Sequence, residues 1–202
     1  MNRVISIPAG KVTYDKFQNW YDEIHAEWVN DKIVIPEPPT IEHQSLRSFL
    51  GIIISMYCEH FECGHVFFSP FQMYLEKQKC GREPDIFFVA SKNLERIKQN
   101  YLDGPADLVI EIISPESVGR DRGEKFVEYE AAGIREYWLI DPQRKQAEFY
   151  RLDDEHRYQL ITSGREGIFY SQVIEGFYFK IEWLWQKPLP KVMPILKEMG
   201  IA

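Results

Sequence analysis

Residues 107–113 read Asp107-Leu108-Val109-Ile110-Glu111-Ile112-Ile113, a nearly continuous apolar run interrupted by one carboxylate. Such runs are typical of strands buried on both faces. Ser117 to Ala132 follows as a helix, ended by Gly133, a residue at ease in the left-handed conformation that closes many helices. Tyr137-Trp138-Leu139-Ile140-Asp141 is then a second apolar strand. Strand, helix and strand with short links imply a right-handed parallel crossover. The expected class is therefore α/β, a mixed sheet flanked by helices.

Working outward, the pattern after Asp141-Pro142 becomes hairpin-like, with strands expected at Gln146–Leu152, Arg157–Ile161 and Ile168–Ile174. A short helix is expected in the tail from Pro188. Upstream, Pro84 to Val89 is a strand entered through a proline, and Leu94 to Gln99 reads as a short surface helix. Val66–Phe68 and Gln72–Leu75 read as strand pieces. Leu46, Phe49, Leu50, Ile53, Ile54 and Tyr57 recur at helical spacing. Glu27–Val29, the polar pair Asn30-Asp31 and Ile33–Ile35 read as a hairpin with a tight turn, and Tyr14 to Trp20 as a short helix. No internal repeat or low-complexity tract appears, and 202 residues fit a single domain, 1–202.

Composition narrows the function. Twenty-four basic against thirty-one acidic side chains give a net charge of −7, which excludes coating of nucleic acid by bulk charge. From Asp15 to Glu42 there are seven acids and two bases. A local positive rim remains open, since Arg120, Arg122, Lys125 and Arg135 cluster around the crossover helix. Phe71 to Asn100 also holds six basic and four acidic residues. No apolar run approaches the ~20 residues of a membrane span, so no membrane partner is expected. The first residues are a poor match to a secretory signal, and three cysteines form no disulfide framework. A reduced, cytoplasmic protein is the expectation, and a homodimer is the commonest oligomer for such chains.

Two carboxylates stand where a purely structural role does not favour them. Glu111 shares a strand face with Val109 and Ile113, and Asp85 starts a strand. A carboxylate so placed must be paired, hydrogen-bonded or metal-bound, or its pKa rises. A structural ion pair and a functional site both satisfy that requirement. Lys125 bears on the choice. Glu111 lies roughly 10 Å from the end of its strand at ~3.3 Å per residue. Lys125 lies roughly 10 Å along the returning helix at ~1.5 Å per residue, which brings it level with Glu111. Asp121, four residues before Lys125, is an alternative partner for it.

The ordered series is Glu83-Pro-Asp-Ile-Phe-Phe-Val89, Gly104-Pro-Ala-Asp-Leu-Val-Ile-Glu-Ile-Ile-Ser-Pro115, Asp121-Arg-Gly-Glu-Lys125, Tyr129 and Gly133-Ile-Arg-Glu-Tyr-Trp-Leu-Ile-Asp-Pro142. It resembles the Uma2 family of the PD-(D/E)xK, restriction-endonuclease-like superfamily, from about Trp20 to Ile161. The resemblance implies an αβββαβ core with extra hairpins toward both ends, a divalent-metal site and hydrolysis of phosphodiester bonds in DNA. It assigns catalysis to Asp85, Glu111 and Lys125, and metal binding to Asp85, Glu111 and the Ile112 carbonyl. The chain departs from the motif at Ile113, where the strand lysine would stand; Lys125 fits a lysine moved to the next helix. Glu27 and His43 match accessory positions.

The residue types suit that chemistry. Hard oxygen ligands favour Mg²⁺ or Mn²⁺, which keep several waters. A different reading has the same fold without cleavage, serving as a nucleic-acid-binding or protein-interaction module. A glycosidase built on the two carboxylates is a third, without substrate-platform signals. Cys58, His60, Cys63 and His65 mix zinc-ligand types within eight residues, but at a helix end they would point apart. These cysteines, with Cys80, are expected to be reduced and metal-free.

Overall fold

The computed structural model describes residues 10–20 and 25–201. Helix α1 (Tyr14–Trp20) precedes the hairpin of β1 (Glu27–Val29) and β2 (Lys32–Val34), then the long helix α2 (Ile41–His60). Strands β3 (Gly64–Phe68), β4 (Gln72–Leu75), β5 (Cys80–Arg82), β6 (Ile86–Ala90), β7 (Tyr101–Asp103) and β8 (Leu108–Ile112) follow. A π-helical turn, Arg120–Glu124, leads into α3 (Lys125–Ala132). The chain continues through β9 (Glu136–Asp141), β10 (Gln146–Leu152), β11 (Tyr158–Gly164), β12 (Ile168–Tyr170), β13 (Tyr178–Lys180) and α4 (Val192–Glu198).

The main sheet has the order β11-β10-β9-β8-β6-β3. Its one parallel pair is β8 with β9, Leu108 opposite Glu136 and Ile112 opposite Ile140. That is the crossover expected from the sequence. The helix between them ends at Gly133, whose φ of 86° is the left-handed conformation a glycine reaches without strain.

Alternation divides the sheet's side chains between two cores. Ile86, Phe88, Leu108, Ile110 and Ile112 meet Leu50, Ile53 and Ile54 of α2. Phe87, Val89, Val109 and Leu139 meet Tyr129 of α3 and Tyr137 on the other face. The α2 residues are a stripe at 3.6-residue period. Fully burying each such side chain contributes ~1.5–3 kcal/mol. Thr40 Oγ1 accepts the His43 N–H at 3.2 Å and caps the helix.

A second sheet, β2-β1-β5-β4-β7, carries the N-terminal hairpin. Asn30 and Asp31 turn it with φ of 49° and 64°, the pair of positive values a two-residue hairpin loop demands. Tyr14, Phe17 and Trp28 form its own small core.

Several details differ from the sequence reading. Residues 80–82 and 101–103 are strands that Cys-Gly-Arg and Tyr-Leu-Asp do not announce, because three residues are too few to show a period. Ser91–Arg96 is a 3₁₀ helix, slightly upstream of the expected surface helix. Ile168–Tyr170 leaves the main sheet and pairs with β13 instead.

Candidate active site

Asp85 immediately precedes β6, and Ile86 lies opposite Ile110 of β8. Extending that antiparallel register one step sets Asp85 opposite Glu111. Residues opposed across such a pair share a face. Both carboxylates therefore belong to the α3 side at one end of the sheet, and both line a cleft of about 800 Å³. Glu27, His43, Ile112 and Lys125 line it as well.

Lys125 is not a solvated helix lysine: it is 7 % exposed. Its Nζ lies 2.9 Å from Glu111 Oε1, 3.3 Å from Asp121 Oδ1 and 3.7 Å from Glu27 Oε1. The sequence offered Glu111 and Asp121 as alternatives, and Lys125 takes both. Asp121 and Lys125 sit one helical turn apart, and the Tyr137 hydroxyl fixes the turn by donating to the Asp121 carbonyl at 2.9 Å. One turn further on, the Tyr129 hydroxyl donates to Glu111 Oε1 at 2.9 Å.

Asp85 is oriented by two donors. His43 Nε2 lies 3.0 Å from its Oδ2, and the Ile112 N–H donates to the same oxygen at 2.8 Å. Glu27 is committed to structure. Its Oε2 accepts from Arg82 Nη1 at 2.8 Å and its Oε1 from the Glu83 N–H at 3.2 Å. Its Oε1 also faces the Lys125 ammonium at 3.7 Å.

One ammonium cannot serve three carboxylates equally. Burial, with Asp121 and Asp85 nearby, pushes the Glu111 carboxyl up to about 8 against the pull of Lys125. Burial acts the same way on Glu27, but Lys125 and Arg82 outweigh it and hold that carboxyl below its ordinary value. Lys125 is held well above the usual ammonium range, since Glu111, Glu27 and Asp121 outweigh its burial. Burial and Glu111 together push the Tyr129 phenol well up. Lys125 thus stays charged, and of the two carboxylates Glu27 and Glu111 it is Glu111 whose burial is left uncompensated.

The donor set suits a hard divalent cation. Asp85 Oδ1 and Glu111 Oε2 are uncommitted among the described residues, whereas their partner oxygens are bonded. Glu27, Asp85, Glu111 and Asp121 face Lys125 and Arg82, and Arg82 is shared with Glu128 through two 2.8 Å bonds. The local surplus is negative. Among the described residues no three His, Cys, Asp or Glu side chains are grouped to hold an ion. A cation here would draw on two carboxylates, the Ile112 carbonyl and water, a composition Mg²⁺ favours. At the suspected zinc ligands, Cys58 is buried inside its helix whereas His60 and His65 are exposed. Cys58, Cys63 and Cys80 are free thiols.

A family model described as "Uma2: Putative restriction endonuclease" matches residues 14–182. The chain belongs to the Uma2 family. Among solved structures it resembles "a putative nuclease belonging to DUF820 from Anabaena variabilis ATCC 29413". The TM-score is 0.70 at 17% identity, over 86% of this chain and 97% of that one. No curated protein matches. No described helix is long and apolar enough to cross a membrane.

Within this Uma2 chain the structure adds Arg82 to the residues named from sequence and gives Asp121, Tyr129 and Glu83 their contacts in the site. Asp121 and Tyr129 carried a signal, since both recur at four-residue steps from Lys125. Glu83 opens the quoted family series, whereas Arg82 carried no signal beyond proximity to Asp85. The basic cluster around the crossover helix does not form one positive rim. Arg122 pairs with Glu148 at 2.6 Å, Arg135 with Asp107 at 3.1 Å, and Lys125 is buried. Buried or nearby acids draw these cations inward.

Proposed function

We propose that this Uma2 protein is a divalent-metal-dependent endonuclease that hydrolyses phosphodiester bonds in DNA. The observation that carries the reading is the meeting of Asp85, Glu111 and Lys125 in one cleft, with negative charge in surplus. Asp85, Glu111 and the Ile112 carbonyl would hold Mg²⁺ or Mn²⁺, which when bound polarises the phosphoryl group and makes water more acidic.

The chain's own groups do the rest. His43 and the Ile112 N–H fix Asp85, so one of its oxygens is turned to a set direction. Lys125 and Tyr129 fix Glu111 in the same way from the other side. Lys125 stays protonated, so it acts as a donor and not as a base. Its ammonium orients the attacking water or offsets charge developing on the phosphoryl oxygens, where a preplaced charge needs no reorganisation. Glu27 and Asp121 hold that ammonium in place, and the surrounding burial strengthens its field.

The deciding experiment is plasmid nicking beside calorimetric Mg²⁺ titration, for wild type, Asp85→Ala and Glu111→Ala. Metal-dependent nicking lost in both variants supports the reading. A second reading, a nuclease-fold binding or interaction module without cleavage, is favoured by Glu37 and Glu83, which add acid to the same cleft. Metal binding by wild type with no cleavage across DNA and RNA substrates would establish it instead.

A further inference from the structure

A polyanion entering this cleft meets the carboxylates of Glu37, Asp85 and Glu111 among its lining. Lys125 cannot draw it in, because its ammonium is already shared among three carboxylates. Most arginines are committed too: Arg82, Arg122, Arg135, Arg151 and Arg157 each pair with a carboxylate. Two arginines that line the cleft are different. Among the described residues neither Arg47 nor Arg120 has a carboxylate partner. Arg47 makes one long bond, from Nη1 to the Ser69 carbonyl at 3.5 Å. Arg120 Nε is shielded from water and bonds to nothing. Arg122 and Arg151 Nε are shielded in the same way, so what sets Arg120 apart is a cleft-lining guanidinium with no carboxylate partner among the described residues.

The fold attaches these two side chains to elements on opposite faces of the sheet. Arg47 belongs to α2, one turn after His43, and α2 covers the Ile86 and Ile110 face of the sheet. Arg120 opens the π-helical turn before α3, whose Tyr129 covers the Phe87 and Val109 face. Asp85 and Glu111 lie at the sheet end on the α3 side, and Asp85 reaches His43 of α2. The guanidinium fork matches phosphate oxygens, with donors fixed in one plane.

We propose that Arg47 and Arg120 clamp the backbone of a nucleic-acid strand laid across this sheet end, each taking a phosphodiester that flanks the one at Asp85 and Glu111. The assignment rests on the endonuclease reading and names how that site binds its substrate. A strand, not a lone phosphate, fits because the two arginines stand on separate walls.

The test measures binding of a fluorescent DNA oligonucleotide to full-length Glu111→Gln protein in Mg²⁺, over a range of salt. Arg47→Ala and Arg120→Ala should each weaken binding by about tenfold. Each should also flatten the slope of log K against log salt by ~0.7–0.9, the loss of one phosphate contact. Lysine at either position should keep the slope, because the charge remains, and recover part of the affinity. Arg165→Ala, on an exposed surface, should change neither quantity. Calorimetric Mg²⁺ binding should not weaken in either arginine variant of the wild-type background. Unchanged affinity and slope in Arg47→Ala and Arg120→Ala, while wild type still nicks DNA, would overturn the clamp and leave the endonuclease reading standing. Inorganic phosphate binding with equal dependence on both arginines would reduce the clamp to one anion pocket and overturn it too. A parent protein that binds no oligonucleotide would overturn both proposals.

Discussion

Lys125 Nζ reaches Glu111 Oε1 at 2.9 Å, fourteen residues back along the chain, and both side chains are buried among further acids. The contact ties the strand of the parallel crossover to its helix, and it concentrates three negative charges on one positive one. Lys125→Ala should therefore cost stability as well as activity. Breaking a buried ion pair by removing one partner costs ~3–5 kcal/mol. Cleavage should fall on the order of 100-fold if the ammonium offsets transition-state charge. The freed carboxylates should hold a cation more tightly than before, so Mg²⁺ should raise the melting temperature of Lys125→Ala more than that of wild type. Thermal unfolding with and without Mg²⁺ measures this. Equal shifts in the two proteins would count against the site.

Arg82 carries a heavier structural load than its neighbours suggest. It has no exposed surface and bonds Glu27 at 2.8 Å on one side and Glu128, through two contacts, on the other. It thereby ties β5 and β1 to α3. Arg82→Met should destabilise by ~3–5 kcal/mol, since two acids lose their cation. Arg82→Lys should recover little, because an ammonium cannot reproduce the two-pronged contact with Glu128. Urea denaturation of both variants gives the figures.

The reach of the sequence follows from these same residues. The apolar run around Glu111 and the periodic stripe on α2 were legible because burial on a fixed period leaves a pattern in composition. Lys125 was legible through helix and strand rise alone, which place it level with Glu111. Arg82 was not, because Cys80-Gly81-Arg82 is too short to show a period and its partners are remote in sequence. The committed state of Glu27 was equally hidden, since nothing local to Glu27-Trp28-Val29 reveals Arg82 across the sheet. Asp121 was visible as a neighbour of Lys125, but the sharing of one ammonium among three acids needs the third dimension.

Glu136 predicts a pH effect away from the cleft. It has no exposed surface, and burial raises its pKa although the Gln172 N–H, Ser171 hydroxyl and Arg151 oppose the rise. An acid whose folded pKa is raised binds its proton more tightly in the folded state. Its contribution to stability is thus full below the unfolded value, about 4.3, and is lost as pH rises through the folded value. Glu136→Gln removes that titration. The melting temperature of wild type minus that of Glu136→Gln should fall with rising pH above about 4.3, then level off. A difference that stays flat, or rises, would contradict the buried-acid account.

His43 tests how Asp85, the proposed metal ligand, is aimed. Its Nε2 sits 3.0 Å from Asp85 Oδ2, and it rises from the first turn of α2, the helix on the opposite face of the sheet. Its observed contact is with Asp85, so on the proposed reading it acts through that carboxylate as a positioning residue. Removing such an orienting partner typically weakens metal binding by ~10–100-fold without abolishing it. His43→Ala should therefore raise the Mg²⁺ dissociation constant within that range while Asp85 stays held by the Ile112 N–H. His43→Gln retains an N–H donor and should restore part of the affinity. Raising the metal concentration should rescue cleavage by His43→Ala, because only the occupancy of the site has fallen. The same increase should not rescue Lys125→Ala, whose loss lies in the charge presented to the phosphoryl group. Calorimetry and nicking rates across a Mg²⁺ series separate these outcomes. If His43→Ala binds Mg²⁺ like wild type yet cleaves poorly at every concentration, His43 acts on the substrate directly and the aiming role is wrong.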